Sequence, residues 1–141
     1  MRLTLLLFVL ALVASAPAAP ATLSASGAWV RAVPGSDVAA VYFVLHNGGA
    51  HAVTLRTVGA PVAASAMVHE TSVSGGQARM RPRAALTLEA GASLTFAPEG
   101  LHVMLQQLRA PLPVGARVPV VLEFTDGERL EFSAPVRPLV P

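Results

Sequence analysis

Cysteine and lysine are absent from this 141-residue sequence, and it has only two aspartates, one tryptophan and one tyrosine. Without cysteine the chain can form neither a disulfide nor a thiolate metal site. A blue-copper electron-transfer site is excluded as well, because its strong ligand is a cysteine thiolate. The aspartates, Asp37 and Asp126, lie far from any histidine in the sequence, and no G-x-S-x-G motif is present. The sequence therefore predicts a protein that is not an enzyme.

The charges are few and nearly balanced. Ten arginines oppose eight acidic residues, which gives a formal net charge of +2. A nucleic-acid-binding surface needs a basic excess with interleaved aromatic residues, and both are missing. Arg79, Arg81 and Arg83 alternate along one segment. They form either an ordinary solvated strand face or a docking rim for an acidic partner.

The first 21 residues have the pattern of a secretory signal peptide. Arg2 is followed by an apolar stretch over 3–13 and by small, proline-interrupted residues over 14–21, with cleavage expected at about 18–24. The apolar stretch is too short to span a membrane. We expect residues 22–141 to form one exported domain with no membrane span.

The remaining sequence predicts an all-β fold. Short alternating segments are separated by glycine, proline and asparagine turns, a pattern typical of a β-sandwich or Greek-key barrel. The predicted strands are 28–32, 39–46, 52–58, 66–73, 78–81, 85–88, 93–97, 102–108, 118–124 and 129–134. The predicted core residues are Trp29, Tyr42, Leu45, Leu122, Phe124 and Phe132.

Histidine and methionine cluster in the middle of the chain. His69 is followed after ten residues by Met80, and after twenty-one more by His102-Val103-Met104. Thioether sulfur and imidazole nitrogen suit copper(I) better than they suit zinc, calcium or magnesium. In a strand, His102 and Met104 point to the same face, roughly 6.5 Å apart along the backbone. We therefore expect a copper(I) site.

A hairpin would bring the other two donors together. A two-residue turn at Gly75-Gly76 pairs Thr71 with Met80 and places His69 and Met80 diagonally on one face. A three-residue turn would reverse the register and separate them. Met67 falls on the same face and is a possible accessory sulfur.

The other histidines are expected to be exposed. His46 and His51 flank the Asn47-Gly48-Gly49 turn, where surface residues are ordinary, although an adventitious copper(II) or zinc site is an alternative. Glu70 adjoins His69 but points to the opposite face, so we expect it to be neither ligand nor base. The whole His/Met cluster could also be incidental, since single methionines usually fill cores.

The motif His-x10-Met-x21-His-x-Met resembles that of the periplasmic copper chaperones of the PCuAC type. Other segments resemble the family too, and similarity extends over about residues 28–136. These segments are Ala28-Trp29-Val30-Arg31, Tyr42 with Asn47, His69-Glu70, Met80-Arg81-Pro82, Leu108 with Pro111-Leu112 and Gly115, and Val118 to Phe124.

The resemblance implies a cupredoxin-like Greek-key β-sandwich that binds one copper(I) ion through His69, Met80, His102 and Met104. It also implies a periplasmic, monomeric metallochaperone that carries copper to the dinuclear centre of cytochrome c oxidase. Its partner would be subunit II of that oxidase or another copper chaperone. The alternatives are an exported adhesion or assembly module, and a copper storage or resistance protein.

Overall fold

The computed structural model describes residues 22–139, which are all-β, as predicted. No helix in this part of the chain is long and apolar enough to cross a membrane. The signal peptide predicted over residues 1–21 lies outside the described residues. The strands are β1 (Leu23–Ala32), β2 (Ala39–Asn47), β3 (Val53–Gly59), β4 (Ala63–Ser74), β5 (Gln77–Pro82), β6 (Leu86–Leu88), β7 (Ser93–Phe96), β8 (Leu101–Leu108), β9 (Arg117–Phe124) and β10 (Arg129–Arg137).

All ten predicted segments are strands, and the largest differences are at their ends. β1 begins five residues before the predicted strand at Ala28, because Gly27, with a φ of 61°, forms an irregularity that lets pairing with β2 continue. Such a bulge interrupts alternation, so the sequence pattern ended there. β10 extends to Arg137 because Val136 and Arg137 pair in parallel with β1.

The strands form two sheets that join between β1 and β10. The order is β5-β4-β8-β7-β2-β1-β10-β9-β3-β6, with an additional β8–β2 pairing. The first sheet contains β1, β2, β4, β5, β7 and β8, and the second contains β3, β6, β9 and β10. This arrangement is the cupredoxin-like β-sandwich that was expected.

Alternating residues of the two sheets meet in one core. Val41, Phe43 and Leu45 of β2 point inward, and each is at most 2% exposed. Phe43 stacks on Phe96 with ring centroids 4.3 Å apart. From the second sheet, β9 contributes Val118, Val120, Leu122 and Phe124, none more than 1% exposed. Burial of each large apolar side chain stabilises the fold by about 1.5–3 kcal/mol.

Three of the predicted core residues are placed differently. Tyr42 follows Val41 and precedes Phe43, so alternation directs it to the outer face of the first sheet, where it is nevertheless only 6% exposed. Trp29 is its register partner on β1 and lies on the same outer face, half-buried. Phe132 is half-buried at the core margin, 4.8 Å from Phe43. The prediction was wrong for Trp29, which is half-buried, whereas Tyr42 is buried as predicted, although on the outer face.

Candidate metal site

The pairing of β4 with β8 brings two separate histidine–methionine segments into register. Met67 pairs with Met104, Val68 with Val103 and His69 with His102. Val68 and Val103 are buried in the core, at 6% and 0% exposure. Because strand side chains alternate, the methionines and histidines on either side of them project from the outer face.

Met80 joins this face through the β4–β5 hairpin. Gly75 and Gly76 have φ values of 59° and 76°, the left-handed pair that a type I′ turn requires. The turn pairs Thr71 with Met80 and His69 with Pro82, so the predicted register is confirmed. Met80 therefore lies one outer-face row from His69.

The structure thus brings all four predicted donors to the outer face of three adjacent strands near one sheet edge: His69, Met80, His102 and Met104. Met80 occupies one row, the two histidines the next, and Met104 the third. Met80 is 51% exposed on the edge strand, whereas His102 is 4% exposed. The site therefore has an open side and a buried side.

The two imidazole rings meet edge to face, with centroids 5.8 Å apart and an interplanar angle of 78°. Nδ1 of His102 lies 3.1 Å from the oxygen of Gly100. A carbonyl oxygen only accepts, so Nδ1 carries the proton and Nε2 has a free lone pair. This Nε2 and both ring nitrogens of His69 are buried, with no hydrogen-bond partner among residues 22–139. Such groups are costly unless something binds them.

A tight turn fixes the position of His102. The Gly100 amide donates to the oxygen of Ala97 at 3.1 Å, and Glu99 has a left-handed φ of 67°. The oxygen of Gly100 also accepts a hydrogen bond from the amide of Thr71 at 3.0 Å. One carbonyl therefore links β4 to the imidazole of His102, and its second bond sets the tautomer of that ring.

The surroundings of His69 favour its neutral ring. Burial lowers the pKa of His69, and repulsion from His102 lowers it further. A neutral imidazole is the form that binds a metal. Glu70 is engaged elsewhere, in an ion pair with Arg83, which agrees with the expectation that it is neither ligand nor base.

Aromatic residues extend the histidine row. Tyr42 lies 6.3 Å from His102, and Trp29 lies 4.7 Å from Tyr42, by ring centroids. The guanidinium carbon of Arg137 sits 5.4 Å from the Trp29 ring centre. These side chains cover the buried side of the site. The β2 alternation, with Val41 and Phe43 inward, is the signal that places Tyr42 on this face.

A cavity of about 440 Å³ opens beside the donors. Met80, His102 and Met104 line it, together with Arg31, Tyr42, Thr71, Pro98, Glu99 and residues of the segment from Val33 to Ala40. His69 is not part of this lining. A donor atom from another molecule can therefore reach three of the four side chains from this side.

The other histidines are not part of the cluster. His46 is exposed and hydrogen-bonds to Ser93 Oγ at 2.9 Å. His51 is also exposed, and its backbone oxygen accepts from Asn47 Nδ2 at 2.8 Å. Within residues 22–139, no three side chains of histidine, cysteine, aspartate or glutamate are grouped to hold a metal.

Comparison with known protein families shows which family the chain belongs to. The family model described as "Putative lipoprotein LpqE-like" matches residues 23–136. The chain belongs to the LpqE-like family. It is 34% identical over 113 residues to "Putative lipoprotein Lxx21020" of Leifsonia xyli subsp. xyli, covering 79% of this chain and 68% of that protein.

Solved structures similar to this LpqE-like chain include copper-binding domains. The copper(I)-bound solution structure of DR1885 from Deinococcus radiodurans is 38% identical, with a TM-score of 0.65, over 81% of this chain and 77% of that one. The copper-bound PCuAC domain of PmoF2 is 23% identical, with a TM-score of 0.69, over 85% and 96% of the two chains, and shows the fold. The prediction that the chain is not an enzyme agrees with the family and with the copper(I)-bound relative.

Proposed function

We propose that this LpqE-like chain binds one copper(I) ion through His69, Met80, His102 and Met104 and acts as a copper chaperone. The observation that carries the proposal is the pair of facing imidazoles, whose buried nitrogens have no partner among residues 22–139. Met80 and Met104 occupy the outer-face rows on either side of this pair. A soft monovalent ion at this position would bind Nε2 of His102 and one ring nitrogen of His69.

The donor types support copper(I) in particular. Two thioethers and two imidazoles form a soft, neutral set, which matches copper(I) and not the harder divalent ions. Such ligands can leave the metal without taking up a proton, so exchange to a partner needs no acid catalysis. The similarity to DR1885, whose copper(I)-bound structure is known, supports the same choice.

The asymmetry of the site supports transfer over permanent storage. Met80 is half exposed on an edge strand and borders the 440 Å³ cavity, so an incoming ligand can displace it first. His102 is held by Gly100 and leaves later. We propose that the acceptor is a copper-binding protein of the exported space, either subunit II of cytochrome c oxidase or another copper chaperone.

We also propose that the protein is exported, through the signal peptide expected over residues 1–21, and acts in the periplasm. The similarity to a protein named as a lipoprotein supports export. Detection of the protein in a periplasmic fraction, with a mature N-terminus at about residues 18–24, would test this part independently of copper.

The function is tested by titrating copper(I) against a chromophoric copper(I) chelator under anaerobic conditions. The wild-type protein should bind one equivalent, and Met80→Ala combined with Met104→Ala should bind far more weakly. Val114→Ala, at an exposed site outside the cluster, is the matched control. If wild type and the double variant compete equally poorly, the chain is not a copper carrier and an adhesion or assembly role replaces it.

A further inference from the structure

Met67 stands in a symmetric relationship to Met104. The sequence Met67-Val68-His69 on β4 has the reverse order of residue types of His102-Val103-Met104 on β8. Because the two strands are antiparallel, methionine pairs with methionine, valine with valine and histidine with histidine. The methionine pair therefore forms the outer-face row next to the histidine pair. Directly opposite side chains have Cβ atoms about 4.5–5.5 Å apart.

Met67 is not held in the core. It is 37% exposed and does not belong to the buried cluster of the sandwich. Its unbranched thioether has three rotatable bonds and adapts to varied positions. The side chain is therefore free to extend toward the neighbouring histidine row.

Met67 and Met80 lie on two sides of that row. Met80 borders the 440 Å³ cavity with His102 and Met104. Met67 borders a separate cavity of about 300 Å³, whose lining includes Pro82, Arg83 and Leu86. None of His69, Met80, His102 and Met104 lines this second cavity, so Met67 is the residue of the cluster that borders it.

The two histidine rings differ in whether a hydrogen bond fixes their orientation. His102 is fixed through Gly100, whereas neither ring nitrogen of His69 has a partner in the described part of the chain. No hydrogen bond to residues 22–139 therefore fixes the orientation of the His69 ring.

We propose that Met67 is a further copper(I) ligand, so that the ion has two overlapping positions about the histidine pair. One position uses Met80, and the other uses Met67 with Met104. This inference rests on the proposed copper(I) binding. When an acceptor displaces Met80, Met67 keeps the ion bound until the acceptor supplies a second donor.

A double-mutant cycle tests the proposal by chelator competition. Met67→Leu alone should lower copper(I) affinity only about twofold, and Met80→Leu alone about tenfold or less, because the remaining methionine substitutes. The two together should lower it by at least about tenfold more than the product of the single effects. Val73→Leu, at an exposed position on the same strand, is the control and should change nothing.

A direct readout accompanies the cycle. In Met80→Leu protein labelled with ¹³C at the methionine methyls, one equivalent of copper(I) should shift the Met67 resonance. Purely multiplicative effects on affinity together with an unshifted Met67 methyl would overturn the inference while leaving the proposed function intact. Wild-type protein that binds no copper(I) would overturn both.

Discussion

The ring of His102 is anchored to the oxygen of Gly100 by a 3.1 Å hydrogen bond from Nδ1. The same oxygen accepts from the amide of Thr71 on the adjacent strand. The donor nitrogen of His102 is therefore oriented before any metal arrives. Metal-ligating histidines commonly use such a second contact, which fixes the tautomer and the ring plane. His69 lacks this contact within the described residues.

We predict that His102→Ala weakens copper(I) binding more than His69→Ala does. Ordering a free side chain on binding costs about 0.5–1.5 kcal/mol. The hydrogen bond to Gly100 orders His102 before the metal binds, whereas His69 must be ordered during binding. The difference in affinity between the two variants should be about two- to tenfold, by chelator competition at pH 7.5. Equal losses, or a larger loss for His69→Ala, would show that the Gly100 contact does not preorganise the site.

The hairpin turn controls the position of Met80. Gly76 has a φ of 76°, which costs an alanine about 1–2 kcal/mol. We predict that Gly76→Ala lowers the free energy of unfolding by that amount and weakens copper(I) binding, because the β4–β5 register loosens. Gly59→Ala is the control, since a Cβ there meets nothing within 4 Å and its φ is not left-handed. Urea denaturation and copper titration of both variants check the prediction.

The sequence was sufficient for the hairpin but not for the whole site. The Gly75-Gly76 turn is local, and it determined the relation of His69 to Met80 through residues only a few positions apart. His69 and His102, by contrast, are 33 positions apart in the sequence and pair across β4 and β8. The alternation within each strand does not predict which residues of two distant strands pair. The soft-donor clustering suggested a shared site, but the direct pairing of His69 with His102 was not predicted.

The sequence was also insufficient to assign the aromatic residues to a face of the sheet. Trp29 and Tyr42 were predicted to be core residues, but the alternation of Val41 and Phe43 places Tyr42 on the outer face, where it is nevertheless buried. The two sheet faces are difficult to distinguish when the outer one is also half-covered. In this protein the row from Trp29 to His102 buries aromatic surface outside the main core.

We predict that zinc competes poorly for the site. Zinc prefers four nitrogen, thiolate or carboxylate donors. Residues 22–139 offer no group of three such side chains. Because thioether ligands select copper(I), an excess of zinc over protein of about a hundredfold should leave copper(I) bound at neutral pH. Displacement of copper(I) by equimolar zinc would contradict the assignment of the thioethers.

The cavity beside Met80 predicts the route of transfer. Val38 borders this cavity and is 36% exposed, so Val38→Trp should narrow the opening without removing a donor. We expect an unchanged copper(I) affinity and slower stopped-flow transfer to a bulky chelator, by about threefold or more in the manner of gated access. Val114→Trp, an exposed valine bordering a different cavity, should transfer at the wild-type rate. Equal rates for all three proteins would indicate another route.

The last prediction concerns pH. Thioethers do not titrate, whereas the imidazole of His69 does, so protons compete with copper(I) for this ring. Burial and the neighbouring His102 lower the pKa of His69 from its ordinary value of 6.5. A lowered pKa keeps this ring neutral, and able to bind, at pH values where a free imidazole is already protonated. The contribution of His69 should therefore persist as the pH falls to about 6.5 and be lost only below it.

Measurement of affinity from pH 5 to 8 checks this expectation. The ratio of wild-type to His69→Ala affinity should stay constant above about pH 6.5 and decline at lower pH. The limiting slope of log affinity against pH should fall by about one when His69 is removed. Replacing both Met80 and Met104 should weaken binding at every pH with the slope unchanged. If His46→Ala or His51→Ala changes the slope instead, the ligand assignment proposed here is wrong.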